Sequence, residues 1–206
     1  MTTVNSEEAL RALYGKPSER AVAKEQPRLD EHTRAFIAHA PFLVMGTADA
    51  DGRCDVSPKG DAPGFVHVLD DHHLAIPDRV GNNRLDGLRN MVENPHVALI
   101  FFIPGREDTL RVNGRATVSR DEALLDRLAM NGKRPQTVLV VEVEQSFMHC
   151  PRAFKRAGLW DPQRWPDAAG VPSMQRMIWD LLPTKPEGQT VEQYERDSQE
   201  RLKILY

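Results

Sequence analysis

The sequence predicts a mainly β protein with peripheral helices, in which six or seven antiparallel strands close into a small barrel. Three observations predict it. Strand-length apolar segments recur between residues 42 and 148 and are joined mostly by short turns rich in Asp, Gly and Pro. Helical periodicity gathers at the two ends of the chain, with only short helices between strands. No Gly-x-Gly-x-x-Gly follows any strand, and regular strand–helix alternation is absent, which argues against a doubly wound dinucleotide fold.

The chain has 206 residues, 40% hydrophobic and 28% charged, a composition of one ordinary globular domain with extensions. Residues 1–40 are expected as an N-terminal helical extension, 41–162 as the barrel and 163–206 as a C-terminal helical extension packed on it. A formal net charge of -3 supplies no global basic excess for nucleic acid. No run of eighteen apolar residues suggests a membrane span, and Met-Thr-Thr-Val-Asn-Ser-Glu-Glu lacks the basic-then-apolar order of a signal peptide. Cys54 and Cys150 have no zinc spacing and read as reduced thiols, with the cytoplasm as the expected compartment.

Taken in order, Asn5-Ser6-Glu7-Glu8 resembles a capping box before a helix that stops at Gly15. Residues 15–28 are polar and read as a linker. Residues 29–40 carry Leu29, Thr33, Phe36, Ile37 and Ala40 near one helical face. Pro41 ends that helix, and residues 42–47 and 53–57 read as a hairpin around Asp51-Gly52. Turn residues at 58–64 interrupt it. Residues 65–69 and 73–76 form the next hairpin, followed by a polar junction and a helix ending at Asn94-Pro95. Residues 97–103 are the most apolar segment and read as a buried central strand. Residues 109–118 alternate, with Leu110, Val112, Gly114, Ala116 and Val118 on one face and Arg111, Asn113, Arg115 and Thr117 on the other. A helix over 121–130 precedes a long strand over 137–148, with Leu139, Val141 and Val143 on one face. A short basic helix spans 151–159, and two helices are expected over 173–182 and 191–202.

The junction Arg79-Val80-Gly81-Asn82-Asn83-Arg84 is the leading candidate site. Two cations, two amides and a glycine crowd a helix start, where free N–H groups and the dipole favour an anion. Bare cations there oppose the dipole, which argues for an anionic ligand. Ser57-Pro58-Lys59-Gly60-Asp61 offers turn N–H groups and a mobile ammonium to a planar ligand edge, although a plain surface turn reads equally well. Arg111 lies on a strand where charge is ordinary. His149-Cys150 is poor support for a metal or a nucleophile, because adjacent strand residues face opposite ways. Asp70-Asp71-His72-His73 reads as a hairpin tip, and Trp160 and Trp165 as core or interface anchors.

Together, residues 42–61, 74–102, 111–116 and 147–160 resemble the pyridoxamine 5′-phosphate oxidase-like family of FMN-binding split barrels. Within it, His149-Cys150-Pro151-Arg152-Ala153-Phe154-Lys155-Arg156-Ala157-Gly158-Leu159-Trp160 is similar to a subgroup with a strand-end His-Cys and a basic helix, in which Lys is expected where Arg152 stands. The resemblance implies an FMN-binding homodimer with each flavin in a cleft between subunits and a small-molecule substrate. By this resemblance Gly81-Asn82-Asn83-Arg84 matches the family's phosphate segment, to which Arg79 adds charge. Ser57, Pro58 and Lys59 match the strand end along the isoalloxazine, and Arg111 matches the strand bordering the site. His149, Arg152 and Arg156 would come from the partner subunit. The family's vitamin B6 oxidases end in Arg-Leu-x-Pro, whereas this chain ends Arg201-Leu202-Lys203-Ile204-Leu205-Tyr206, so the resemblance reaches the cofactor barrel and not that substrate.

The function expected is an FMN-dependent oxidoreductase, the flavin carrying the electron chemistry. The alternatives are a non-catalytic flavin carrier or sensor, the same barrel binding a deazaflavin or haem, and an interaction module without cofactor.

Overall fold

The computed structural model describes residues 2–204. Three helices lead in, α1 (Glu7–Tyr14), α2 (Glu19–Ala23) and α3 (Glu31–His39). Then come β1 (Phe42–Ala48), β2 (Cys54–Gly60), β3 (His67–Val68), β4 (His73–Asp78), α4 (Asp86–Glu93), β5 (His96–Phe102) and β6 (Thr109–Ser119). The chain continues with α5 (Glu122–Arg127), β7 (Thr137–His149), α6 (Arg152–Ala157), α7 (Met174–Leu181) and α8 (Val191–Arg201).

Among the described residues the strands form one seven-stranded sheet in the order β2-β1-β5-β6-β7-β4-β3, antiparallel at every pairing. The sheet curls until β2 and β4 face each other, because Lys59 Nζ on β2 lies 3.0 Å from Asp78 Oδ1 on β4. No ladder joins these two strands among the described residues, so the barrel is split along this seam. Pro58 and Pro77 stand on its two sides, and neither can donate a ladder hydrogen bond. The expected mainly β split barrel with peripheral helices is the fold observed.

Alternation fills the interior. Leu43 and Met45 of β1, Leu99 and Phe101 of β5, and Leu110 and Val112 of β6 are buried in one core. The core begins at Leu29, and α3 adds Phe36 and Ile37. A smaller cluster of Ala75, Leu125, Leu128 and Val138 packs α5 on the other side of β4. That second layer explains why β4 is buried on both faces. α7 and α8 pack on one another, with the rings of Trp179 and Tyr194 5.4 Å apart.

Several elements differ from the sequence-based expectation. α1 is capped by Ser6, which accepts from Ala9 N, and not by Asn5. The linker 15–28 contains α2, and its last residues join the sheet, where Gln26 and Ser146 exchange backbone hydrogen bonds. β2 runs on through Pro58, Lys59 and Gly60, since β1 pairs with it along its whole length. β5 is not buried on both faces: Ala98 is exposed, and Ile100 and Phe102 are half-buried.

The largest difference is a bulge. Asn113 pairs with Gln145 and Gly114 with Val143, so Glu144 is the extra residue on β7. One extra residue reverses the side-chain parity. Val141 and Val143 point inward before it, and Ser146 and Met148 after it. Unbroken alternation would carry Phe147 and His149 into the core; the bulge turns them outward. Gly114 makes this possible, because a Cβ there would sit 1.9 Å from the Glu142 carbonyl oxygen.

Gly114→Ala is therefore expected to destabilise the fold by about 3 kcal/mol, since two paired backbones must separate. Gly81→Ala, where a Cβ meets nothing within 4 Å, is expected to change stability by less than about 0.5 kcal/mol. Denaturant melts of the two variants against the parent check both values; equal stabilities would mean that the bulge relaxes freely.

Candidate functional site

The seam opens into a cavity of about 860 Å³, within the range of small-molecule sites. Its walls are β2, the end of β4, the 79–85 junction and the first turn of α4. α4 is positioned by packing on β1, β2 and β6. Met91 is buried beneath it, and Asn90 Nδ2 donates to Thr47 Oγ1 at 3.0 Å. The start of α4 is thereby fixed at the cavity rim.

Among the described α-helices only α4 and α6 start without a side-chain cap, and only α4 does so from a left-handed residue. Ser6, Ser18, Asp30, Asp121, Ser173 and Thr190 each cap a helix through a side-chain oxygen. At α4 the N-cap is Leu85, with no side-chain cap bond and a left-handed backbone at φ 61°. Asn83 is left-handed too, at φ 59°. Such conformations are unfavourable for residues with a Cβ, more so for Leu than for Asn. The Asn82 carboxamide oxygen accepts from Arg84 N at 3.1 Å and helps to hold the turn. Asp86, Gly87 and Leu88, whose amides form the uncapped first turn, all line the cavity.

Seven of the sequence-predicted residues line this cavity: Ser57, Pro58, Lys59, Arg79, Asn82, Asn83 and Arg84. Their cations are already engaged. Lys59 pairs with Asp78. Arg79 Nε donates to Asp61 Oδ2 at 2.7 Å, and Arg79 Nη1 donates to the Leu128 carbonyl at 2.9 Å. The Asp61 carboxylate is fully buried. Arg84 Nε donates to Asp86 Oδ2 at 2.8 Å, but its side chain is 72% exposed. Such a pair is screened and weak, so Arg84 exchanges partners readily.

The other four predicted residues lie outside the cavity walls. Arg111 and His149 sit on the outer face of the sheet. Arg111 is directly opposite Phe147, with its guanidinium carbon 5.3 Å from the ring centroid. His149 packs beside the same ring at 5.1 Å. Arg152 and Arg156 are exposed on α6. Within one chain the two groups are thus not brought together.

Sequence reading missed the carboxylates. Asp55, Asp61, Asp78 and Asp86 line the cavity alongside Lys59, Arg79 and Arg84, so the lining is not a purely basic pocket. The signal was present, since Asp61 closely follows Lys59 and Asp78 immediately precedes Arg79. Burial lowers the pKa of His67, and the nearby charges of Arg127 and Arg79 lower it further. Gln136, also unanticipated, completes one wall. Among the described residues no cluster of His, Cys, Asp and Glu could hold a metal ion, and no helix is long and apolar enough to cross a membrane.

No match was found among curated protein sequences. Among solved structures, the chain is similar to HupZ of Group A Streptococcus, at 20% identity and a TM-score of 0.47, covering 58% of this chain and 92% of that one. It is similar to General Stress Protein 26 of Bacillus anthracis at 17% identity and a TM-score of 0.42, covering 55% and 88%. It is also similar to HutZ, the haem storage protein of Vibrio cholerae, at 16% identity and a TM-score of 0.42, covering 58% and 94%. A family model described as Pyridoxamine 5'-phosphate oxidase matches residues 29–150. That match spans more than half of the chain and takes in every strand, and the protein belongs to the pyridoxamine 5′-phosphate oxidase-like family.

Proposed function

We propose that the protein is a cytoplasmic, homodimeric FMN-binding flavoprotein, and an FMN-dependent oxidoreductase acting on a small molecule. The observation that carries the reading is the uncapped start of α4 at the mouth of an 860 Å³ cavity, in a chain whose family binds such cofactors in this barrel. Free backbone donors, a strained left-handed turn and an exchangeable arginine at one point suit a phosphate. The two exposed free cysteines fit a reducing compartment.

In this reading the phosphate is held by the first-turn amides of α4 with Asn82, Asn83 and Arg84. Arg84 leaves Asp86 for the stronger partner. Ser57, Pro58 and Lys59 line the cavity along β2 and border the ring. Lys59 keeps Asp78 on one of its three donors and presents the others to the ligand. Arg79 acts mainly as a strut, turned to Asp61 and the Leu128 carbonyl. When bound, FMN supplies the acceptor for hydride or electrons, and the protein contributes binding, orientation and exclusion of water.

The dimer is supported by an unfilled sheet face. The outer sides of β2, β1 and β5 present Val56, Phe42, Val44, Ala98 and Ile100, with Val56 65% exposed. An apolar face of this kind is typical of a protein–protein contact. Arg111, His149, Arg152 and Arg156 would reach the neighbouring subunit's flavin from around this face.

Two measurements test the reading. Arg84→Ala is expected to weaken FMN binding roughly tenfold or more while leaving riboflavin within about twofold, because only FMN carries the phosphate. Flavin-fluorescence titration of both ligands decides it, and equal losses would remove the phosphate from this junction. Ala98→Glu places a charge on the outer face without touching the cavity lining. It is expected to convert a dimer into a monomer by light scattering, and an unchanged dimer mass would exclude this face as the contact.

A further inference from the structure

One cluster lies outside the cavity and carries charge without compensation. The Lys24 ammonium lies 5.2 Å from the centroid of Phe147, and the Arg111 guanidinium 5.3 Å from it. Among the described residues neither cation forms an ion pair. Lys24 donates only to the Met148 carbonyl, at 2.7 Å. Both cations act on His149, beside the same ring, and lower its pKa in addition to the larger effect of burial. Its Nε2 is buried without a hydrogen-bond partner. Like charges gathered on one side chain, next to an orphaned ring nitrogen, are unfavourable unless an anion completes the set.

Lys24 is brought there by the chain's own construction. β4 pairs with β7 only through Glu142, which leaves the far part of that edge open. Residues 26–28 occupy it: Gln26 pairs with Ser146, and Ser146 Oγ donates to the Arg28 carbonyl at 2.6 Å. Lys24 is thereby laid across the end of β7. It precedes the family-matched region, which starts at residue 29. The bulge at Gly114 supplies the other half by turning Phe147 and His149 outward.

We propose that Lys24, Arg111 and His149, arranged around the Phe147 ring, form an anion-binding subsite that takes the carboxylate or phosphate group of a small molecule. The anion is held beside the ring by the cations that flank it, and the His149 ring nitrogen adds a polar partner. The inference deepens the flavoprotein reading by naming the charge of the substrate. It rests on that reading only in assigning the anion to a substrate; the subsite itself stands without flavin.

The test follows the His149 Cε1–H resonance in histidine-labelled full-length protein, assigned with His149→Gln. Inorganic phosphate and benzoate are titrated at constant ionic strength, in flavin-free and FMN-loaded protein. The expected result is a saturable shift in the flavin-free protein, with the His149 titration midpoint moving up as the anion offsets Lys24 and Arg111. Lys24→Met, which keeps an apolar stem, is expected to weaken that response about tenfold. Without anion it is expected to raise the His149 midpoint by itself, since one repelling charge is gone. No saturable shift, or one unaltered by Lys24→Met, would overturn the subsite. Preference for phosphate over benzoate would identify a phosphorylated ligand, and the reverse an aromatic carboxylate. Failure to load FMN would count against the flavoprotein reading and leave the flavin-free result intact.

Discussion

The seam between β2 and β4 is the constraint on which the rest of this structure depends. A sheet that curls almost closed leaves two facing edges, and those edges would join if their backbones met in register. Here side chains cross instead, Lys59 to Asp78 and Arg79 to Asp61. The second pair matters more energetically, because the Asp61 carboxylate is fully buried. A buried charge that loses its partner costs about 3–5 kcal/mol. Charged struts hold the edges close enough to define a cavity and far enough apart to keep it open. The same residues therefore shape the site and limit what it can offer a ligand.

That limit explains the division of labour around the cavity. Arg79 is committed to the wall, whereas Arg84 is solvent-exposed and bound only to its near neighbour Asp86. The left-handed turn at Asn83 and Leu85 withholds a side-chain cap from α4, although the chain caps six other helices with Ser, Thr or Asp. Left-handed residues at the cavity mouth leave the first-turn amides of α4 without a side-chain cap, the arrangement that the proposed phosphate would complete.

Most of the strands were legible in the sequence because the barrel's hairpins are local and their alternation is regular, whereas the non-local pairings that bring β1 beside β5 and β4 beside β7 were not. Leu110, Val112, Gly114 and Ala116 were read on the correct face, and the C-terminal helices fall within a residue or two of their expected limits. The junction at 79–84 was legible through its composition. The carboxylates that neutralise Lys59 and Arg79 were not, since ion pairs across the seam join residues eighteen and nineteen positions apart whose approach depends on how far the sheet curls. The bulge was not legible either. A glycine in an alternating strand signals close backbone approach only once its partner strand is known, and Glu144 looks like any exposed strand residue. The contribution of Lys24 was hidden by the polar composition of residues 15–28, which resembles a linker until Gln26 is seen paired with Ser146.

Gly114 links the inside of the barrel to its outside. Without the extra residue opposite it, β7 would place Phe147 and His149 in the core and Ser146 and Met148 outside, against the hydrophobic pattern of β6. With it, the interior stays apolar and an aromatic, basic strip emerges beside the uncovered face of β5. The sequence of β5 is apolar on both sides, yet on the outer one Ala98 is exposed and Ile100 and Phe102 are only half-buried, Phe102 against Phe154 of α6. A strand apolar on both faces, next to cations that form no ion pair among the described residues, is the kind of surface that a second chain covers. On the dimeric reading, the second copy supplies the cover for β5, and the strip at its margin is where a ligand meets both subunits.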